Sequence, residues 1–196
     1  MRGRSYGPTP TRASLPVMPA PAFAQVPVDP VRVTCVCLGN ICRSPMAAAI
    51  LRERAAAAGT PMTVSSAGAG TWYTGNPAHP ATVAELSARG ITIAHAARTF
   101  RAADFAELDL VLAMDHANAA HLEALAPTPD ARATIHLIRD FNPAGPRGRE
   151  VPDPYYGGPA DYRTVFDMLD AACRGLVERL ATEGPPPWAR PAEIRP

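Results

Sequence analysis

Residues 31–59 constrain the fold most, because a buried strand, a short loop and a helix follow one another there without a break. Four of the six residues in 31–36 are β-branched, which is typical of a strand covered on both faces. Ser44 and Pro45 are typical N-cap and first-turn residues of a helix that Gly59 would close. Backbone N–H groups of such a loop and of the first helical turn converge on one point. The segment therefore predicts an anion-binding loop.

Strand and helix patterns alternate along the rest of the chain. The predicted strands are 31–37, 62–67, 108–114 and 133–139, and the predicted helices are 44–58, 80–89, 115–126 and 161–181. This order favours a parallel sheet with helices on both faces, that is, an α/β three-layer sandwich with four parallel strands. Ligands of such folds bind beyond the carboxyl ends of the strands, where the loop after strand 1 also lies.

Prolines divide the chain into three parts. Seven lie in residues 1–30 and five in residues 184–196, and proline-rich segments favour extended, solvated backbone over a packed core. We therefore expect one domain at 31–183, a flexible N-terminal tail at 1–30 and a flexible C-terminal tail at 184–196.

Charge and cysteine content narrow the compartment and the partners. The net charge is +1, so the sequence favours neither nucleic acid nor an anionic membrane as a partner. The four cysteines, at 35, 37, 42 and 173, show no extracellular disulfide framework or zinc spacing, which favours a reducing, cytoplasmic location. Ala22-Phe23-Ala24 has the look of a signal-peptidase site, but prolines interrupt the preceding apolar stretch, so export is the minority interpretation.

The predicted loop carries residues suited to cleaving a phosphate monoester. Cys37 is a candidate nucleophile, because a thiolate is stabilised beside a guanidinium and a helix N-terminus. Arg43 presents a forked set of donors that matches two phosphoryl oxygens. Ser44 is placed to donate a hydrogen bond to the thiolate, and Gly39 and Asn40 suit a tight turn. The loop is therefore predicted to bind phosphate, with its backbone at residues Leu38, Gly39, Asn40, Ile41 and Cys42 forming the cradle.

The loop lacks a general acid and an aromatic wall for the substrate. A second cluster, Asp153-Pro154-Tyr155-Tyr156-Gly157, can supply both. Asp153 lies in a loop after the fourth predicted strand, which can reach the same rim of the sheet as Cys37. Its carboxyl group is a candidate general acid for the leaving oxygen and then a base for water. Tyr155 and Tyr156 are placed to form the wall of a slot for an aromatic ring.

Together, the segment 36–47 (VCLGNICRSPMA) and the cluster at 153–157 resemble the low-molecular-weight protein tyrosine phosphatase family. Further matches are Ser66-Ala67-Gly68, Trp72, His95 and Met114-Asp115. The resemblance covers nearly all of 31–183 and neither tail. It implies a four-stranded parallel α/β fold with a phosphate-binding loop after strand 1 and a cysteinyl-phosphate intermediate, with no metal and no cofactor. Tyrosine-phosphorylated proteins would be the substrates.

The resemblance also implies roles for individual residues. It assigns Cys37 as nucleophile, Arg43 as phosphate clamp and Asp153 as proton donor. Asn40, Ser44, Ser66 and His95 would form a hydrogen-bond network that shapes the loop, and Trp72, Tyr155 and Tyr156 would line the substrate slot.

One position departs from the family pattern. Ala48 stands where the family usually has glutamate, so a carboxylate that helps to fix the loop or its arginine is missing. Asp115 or another acid is a candidate to compensate. Cys42 lies five residues after Cys37 in the same loop, which suggests either a disulfide with oxidised Cys37 or a simple packing role.

Three alternatives stay open to different degrees. An arsenate reductase on this scaffold is disfavoured, because residues 60–130 contain no cysteine that could resolve the reaction. A protein-arginine phosphatase is closer, but by resemblance that branch has threonine where this chain has Ile41. Ile41, Tyr155 and Tyr156 favour an aryl phosphate. A non-catalytic phosphotyrosine-binding module is disfavoured because Cys37, Arg43 and Asp153 are all present. The sequence leaves the oligomeric state unknown.

Overall fold

The computed structural model describes residues 29–183. The tails predicted at 1–30 and 184–196 therefore lie outside the described residues, except for Asp29 and Pro30. The described elements are β1 (Val31–Cys37), α1 (Arg43–Ala58), β2 (Met62–Gly68), α2 (Pro80–Ala88), β3 (Leu110–Ala113), α3 (His116–Leu125), α4 (Pro129–Ala133), β4 (Ile135–Leu137) and α5 (Pro159–Glu183), with 3₁₀ turns at Ala102–Glu107 and Ile138–Phe141. None of these helices is both long and apolar enough to cross a membrane.

The four strands form one parallel sheet in the order β2–β1–β3–β4. Side chains alternate across it: Val33 and Cys35 pack into the cluster under α1 and α5, whereas Val36 packs with Val111 and Phe105 on the opposite face. Helices thus cover both faces, which confirms the predicted α/β three-layer sandwich. β1 is a central strand, so the loop that follows it leaves from the middle of the carboxyl edge.

The predicted start of α1 was wrong by one residue, and the predicted cap was wrong as well. The helix begins at Arg43, its N-cap residue is Cys42, and no side chain caps it. The Ser44 hydroxyl points to Cys37 and Asn40 instead. Gly59 ends the helix in the left-handed conformation, as predicted.

The third and fourth strands are shorter than predicted, because local turns take up their ends. The short helix α4 was missed; the Thr128 hydroxyl caps it, and its last residue, Ala133, is the residue at which the predicted strand would have begun. The 3₁₀ turn Ile138–Phe141 ends β4 after three residues. The long last helix exceeds its predicted length by two residues at each end.

Candidate active site

The loop after β1 is tied to the end of β2 by backbone hydrogen bonds. Ala69 N–H donates to Cys37 O and Gly70 N–H donates to Leu38 O, both at 2.8 Å. Cys37 itself is the last residue of β1, pairs with Gly68 in the sheet and is only 3 % exposed. The loop conformation is therefore set by the sheet edge as well as by its own sequence.

Asn40 holds the loop in shape. It is fully buried with a φ of 56°, the left-handed conformation that asparagine tolerates better than most residues. Its side-chain amide donates to the hydroxyls of Ser44 and Ser66, each at 2.9 Å, and its Oδ1 accepts from the backbone N–H of Arg98 at 3.0 Å. Nε2 of His95 lies 2.6 Å from the Asn40 carbonyl oxygen and donates to it, because a carbonyl can only accept. The structure thus brings together all four residues expected to shape the loop.

The Ser44 hydroxyl lies 3.0 Å from Cys37 Sγ. Its oxygen accepts from Asn40 Nδ2, and the carbonyl of Ala67 lies 3.3 Å away as a second acceptor for its single proton. When Cys37 is a thiolate, the charged sulfur is the stronger acceptor, so the hydroxyl donates to it. Ser44 is therefore positioned to stabilise the anionic form of the sulfur.

Arg43 is buried at the base of the cavity, with 3 % of its surface exposed. Its Nη1 donates to Asp115 at 2.6 Å and to the Val151 carbonyl at 3.1 Å, and its Nη2 donates to Asp153 at 2.8 Å. Burial alone would lower the pKa of Arg43, but the negative charges of Cys37, Asp153 and Asp115 outweigh it and raise that pKa. The Nε atom is buried and has no hydrogen-bond partner among residues 29–183. A planar cation whose Nε–H donates to no described residue is therefore fixed beside Cys37.

A cavity of about 250 Å³ opens over this loop, and most of its wall is apolar or aromatic. Ten residues line it: Cys37, Leu38, Gly39, Ile41, Cys42, Arg43, Tyr73, Asp153, Tyr155 and Tyr156. The three residues expected to carry the chemistry thus meet in one cavity, although Asp153 lies 110 residues after Arg43. Asp153 is exposed at the rim, and Tyr156 stands almost entirely in solvent.

The structure does not bring Trp72 into the cavity wall. Its side chain lies against Gly70 and is 72 % exposed, whereas the next residue, Tyr73, lines the cavity. The Tyr73 hydroxyl donates to that of Tyr155 at 3.1 Å, and the Tyr73 ring lies so close to Gly39 that a Cβ there would be 2.7 Å from it. Gly39 is therefore needed for close approach. Sequence reasoning missed Tyr73, and its only local signal was a second aromatic residue beside Trp72.

Comparison with known proteins agrees with this geometry. Residues 32–185 match the family model "Low molecular weight phosphotyrosine protein phosphatase". A relative from Streptomyces coelicolor, named low molecular weight protein-tyrosine-phosphatase, is 45 % identical over 149 residues, which cover 74 % of this chain and 91 % of the relative.

Solved structures show the same fold. A protein tyrosine phosphatase from Entamoeba histolytica is 31 % identical with a TM-score of 0.74, and the match covers 78 % of this chain and 98 % of that one. The structure titled YwlE arginine phosphatase is 26 % identical with a TM-score of 0.71, covering 78 % and 97 %. By the family model and the Streptomyces relative, this chain belongs to the low molecular weight phosphotyrosine protein phosphatase family.

Proposed function

We propose that this protein hydrolyses phosphotyrosine in proteins through a cysteinyl-phosphate intermediate, with Cys37 as nucleophile, Arg43 as phosphate clamp and Asp153 as general acid and base. One observation carries the proposal: two segments far apart in sequence, the loop after β1 and the loop at Asp153, bring a buried sulfur, a buried guanidinium and a rim carboxylate into one cavity. Family membership supports the reaction class.

Phosphate binding follows from the donors that face the cavity. The unused Nε of Arg43 and its neighbour Nη2 form one edge of the guanidinium, which matches two oxygens of a phosphoryl group. Nη2 has two N–H donors, one of which donates to Asp153 at 2.8 Å, so the general acid and a bound phosphoryl group would meet at this nitrogen. The Asp115 contact on Nη1 holds the plane of the guanidinium throughout.

The first chemical step transfers the phosphoryl group to sulfur. The Cys37 thiolate attacks phosphorus, the bond from phosphorus to the tyrosine oxygen breaks, and protonated Asp153 gives its proton to that oxygen. Loop N–H groups and Arg43 stabilise the charge on the transferred group.

The second step returns the enzyme to its starting state. Asp153, now a carboxylate, takes a proton from the water that attacks phosphorus, and the bond to sulfur breaks. Cys37 leaves as a thiolate, and the Ser44 hydroxyl 3.0 Å away stabilises it.

The cavity wall supports an aryl substrate. Tyr73, Tyr155 and Ile41 offer aromatic and apolar surface to a phenyl ring above the phosphate, and an apolar wall with a few fixed polar groups is typical of a small-ligand site. Among the described residues that line this wall, Asp153 is the only carboxylate that could bind a guanidinium, so the wall favours phosphotyrosine over phosphoarginine.

A substrate panel tests the reaction and the substrate class together. We expect phosphotyrosine peptides to be hydrolysed well above phosphoserine and phosphoarginine peptides. Cys37→Ser should lower kcat by a factor on the order of 10⁴ or more while binding of a phosphotyrosine peptide persists. Faster turnover of phosphoarginine would overturn the substrate class, and an active Cys37→Ser variant would overturn the nucleophile.

Asp153→Asn tests the general acid. We expect kcat to fall by roughly 10²–10⁴-fold for aryl phosphates with basic leaving groups and much less for those with acidic ones, because the latter need no proton. The measurement is kcat across a series of substituted phenyl phosphates. Equal losses along the series would contradict the role of Asp153.

A further inference from the structure

His79 has no role in the proposed chemical steps, yet it contacts two residues that line the cavity. Its backbone N–H donates to the carbonyl oxygen of Ile41, in the phosphate-binding loop, at 2.8 Å. Its ring centroid lies 5.5 Å from that of Tyr155, with 59° between the two ring planes. His79 itself is half-buried at the N-terminus of α2 and is not one of the lining residues. One residue outside the cavity therefore supports both the loop and an aromatic part of the wall.

Tyr162 anchors the His79 side chain to the core. The Tyr162 hydroxyl in α5 lies 2.9 Å from Nδ1 of His79, and the two rings stack with 12° between their planes. The N–H of Ala81 donates to the same Nδ1 at 3.3 Å, so this nitrogen carries no proton and the Tyr162 hydroxyl must donate to it. Tyr162 is only 1 % exposed, and burial raises the pKa of its hydroxyl, which therefore keeps the proton that it donates. The His79 ring is thus fixed in one orientation.

His79 is the ring partner that ties Tyr155 to the core. The Tyr155 side chain makes ring contacts with Tyr73, Tyr156 and His79, and its hydroxyl accepts from that of Tyr73 at 3.1 Å. Tyr156 is 97 % exposed, and Tyr73 is itself a half-buried residue of the cavity wall. Within residues 29–183, His79 is the only one of these three partners whose side chain is hydrogen-bonded to a fully buried residue. The position of the Tyr155 ring therefore depends on His79.

We propose that His79, anchored by Tyr162, is a positioning residue that holds the Tyr155 ring against the ring of the substrate and so gives the site its preference for aryl over alkyl phosphate monoesters. The inference rests on the proposed function, because it explains how that same cavity selects its substrate. A ring held in place before binding costs less entropy when the substrate arrives, so a fixed wall binds an aryl group more tightly than a mobile one.

The support acts on the substrate ring and not on the phosphoryl group. Within the described part of the chain, the hydrogen bonds of the His79 side chain go to Tyr162 and Ala81, and none goes to Arg43 or Cys37. Inorganic phosphate and methylphosphonate need only the phosphate-binding loop, whereas phenylphosphonate also needs the aromatic wall. Binding of these three ligands therefore distinguishes an effect on the wall from an effect on the loop.

His79→Asn removes the ring and keeps the other contacts. Asparagine can still cap α2, and the backbone N–H that donates to Ile41 is unchanged. In the full-length protein, we expect the Kd of phenylphosphonate to rise about three- to tenfold, measured by isothermal titration calorimetry, and the Kd values of phosphate and methylphosphonate to stay within about twofold. In turnover of phenyl phosphate, KM should rise while kcat stays within about twofold. His121→Asn, at an exposed histidine of α3, is the matched control and should behave as wild type.

Two further variants test whether the effect passes through the named contacts. Tyr162→Phe removes one hydroxyl and keeps the buried ring, so we expect the Kd of phenylphosphonate to rise at least about twofold. Adding Tyr162→Phe to His79→Asn should raise it no further, because the hydroxyl acts through the His79 ring. In a Tyr155→Ala background, His79→Asn should change this Kd by less than about twofold, since the supported ring is already gone.

Three results would overturn the role of His79: a wild-type Kd for phenylphosphonate in His79→Asn, an equal rise in the Kd of phosphate, or an undiminished effect of His79→Asn in the Tyr155→Ala background. A wild type that binds phenylphosphonate but does not hydrolyse aryl phosphates would instead overturn the proposed function.

Discussion

The environment of Arg43 determines how the phosphate-binding guanidinium is positioned in the site. Its guanidinium is buried between two carboxylates, Asp115 and Asp153, at 2.6 and 2.8 Å. A buried cation without partners would be costly, so both acids help to keep it in place. Ala48, where the family resemblance leads one to expect glutamate, is itself buried, and Asp115 supplies a carboxylate to the arginine from another element. The acid named from the sequence as a candidate thus contacts the arginine, and its compensation for Ala48 stays a prediction.

Asp115 both contacts Arg43 and caps α3, and the variant Asp115→Asn should separate these two roles. The Asp115 carboxylate also caps α3 by accepting from Asn118 N–H at 2.7 Å, and asparagine can keep that cap. We expect kcat to fall on the order of tenfold or more because the guanidinium loses its charged anchor, with little change in KM. Steady-state kinetics on a phenyl phosphate measure the effect.

Asp115→Ala is the matched variant for this pair. It loses the cap as well as the charge, so its free energy of unfolding should drop by about 1 kcal/mol beyond that of Asp115→Asn. An Asp115→Asn enzyme with wild-type kcat would show that Asp153 and the Val151 carbonyl suffice to hold Arg43.

Among the elements, the end of β2 packs tightly against the loop after β1. A Cβ on Gly68 would lie 3.0 Å from the carbonyl oxygen of Leu38 and 3.2 Å from the backbone nitrogen of Asn40. Both are backbone atoms of the phosphate-binding loop. Asn40 holds that loop in shape through four hydrogen bonds. The strand thus acts as a template for the loop, so a side chain added at Gly68 would displace the loop backbone.

Gly68→Ala tests this fit. We expect kcat/KM to fall at least about tenfold, because displacing the cradle by a few tenths of an ångström moves its N–H groups off the phosphoryl oxygens. Gly158→Ala is the control, since no described residue other than its chain neighbours has an atom within 4 Å of a Cβ there, and its φ is not positive. Equal kinetics for the two variants would contradict the template role of β2.

For the whole molecule, two histidines link stability to pH. Burial lowers the pKa of His95 and of His136; weaker contacts raise it, namely the Asn40 carbonyl at His95 and Asp140 at His136. Folding therefore favours the neutral rings, whereas the unfolded chain binds protons at an ordinary histidine pKa of about 6.5. Their contribution to stability is fully present above that pH and is lost as the pH falls through the lowered values.

We thus expect the free energy of unfolding to decrease from pH 7.5 to pH 5.5, as measured by urea denaturation at a series of pH values. His136→Gln should make this decrease shallower, since one of the two half-buried rings no longer titrates. His116→Gln, at an exposed histidine, is the control. A variant slope equal to that of the wild type would exclude His136 as a contributor.

The sequence by itself determined the features that depend on neighbouring residues. Strand β1 matches its predicted bounds, because an apolar, β-branched run reports a buried strand directly. Cys37 and Arg43 share one cavity because they lie at the two ends of one short loop. The alternation of strands and helices indicated a parallel sheet of four strands, whereas the strand order β2–β1–β3–β4 comes from the structure.

Only the tertiary structure decided which distant residues meet. Asp115 and Asp153 reach Arg43 from 72 and 110 residues away, and Tyr73 rather than Trp72 enters the cavity. The Ser44 hydroxyl was expected to cap its own helix, yet it bonds Cys37 and Asn40. The reason is physical: local pattern fixes which element forms, whereas the contacts of a side chain depend on the register and packing of several elements, which no short stretch of sequence encodes.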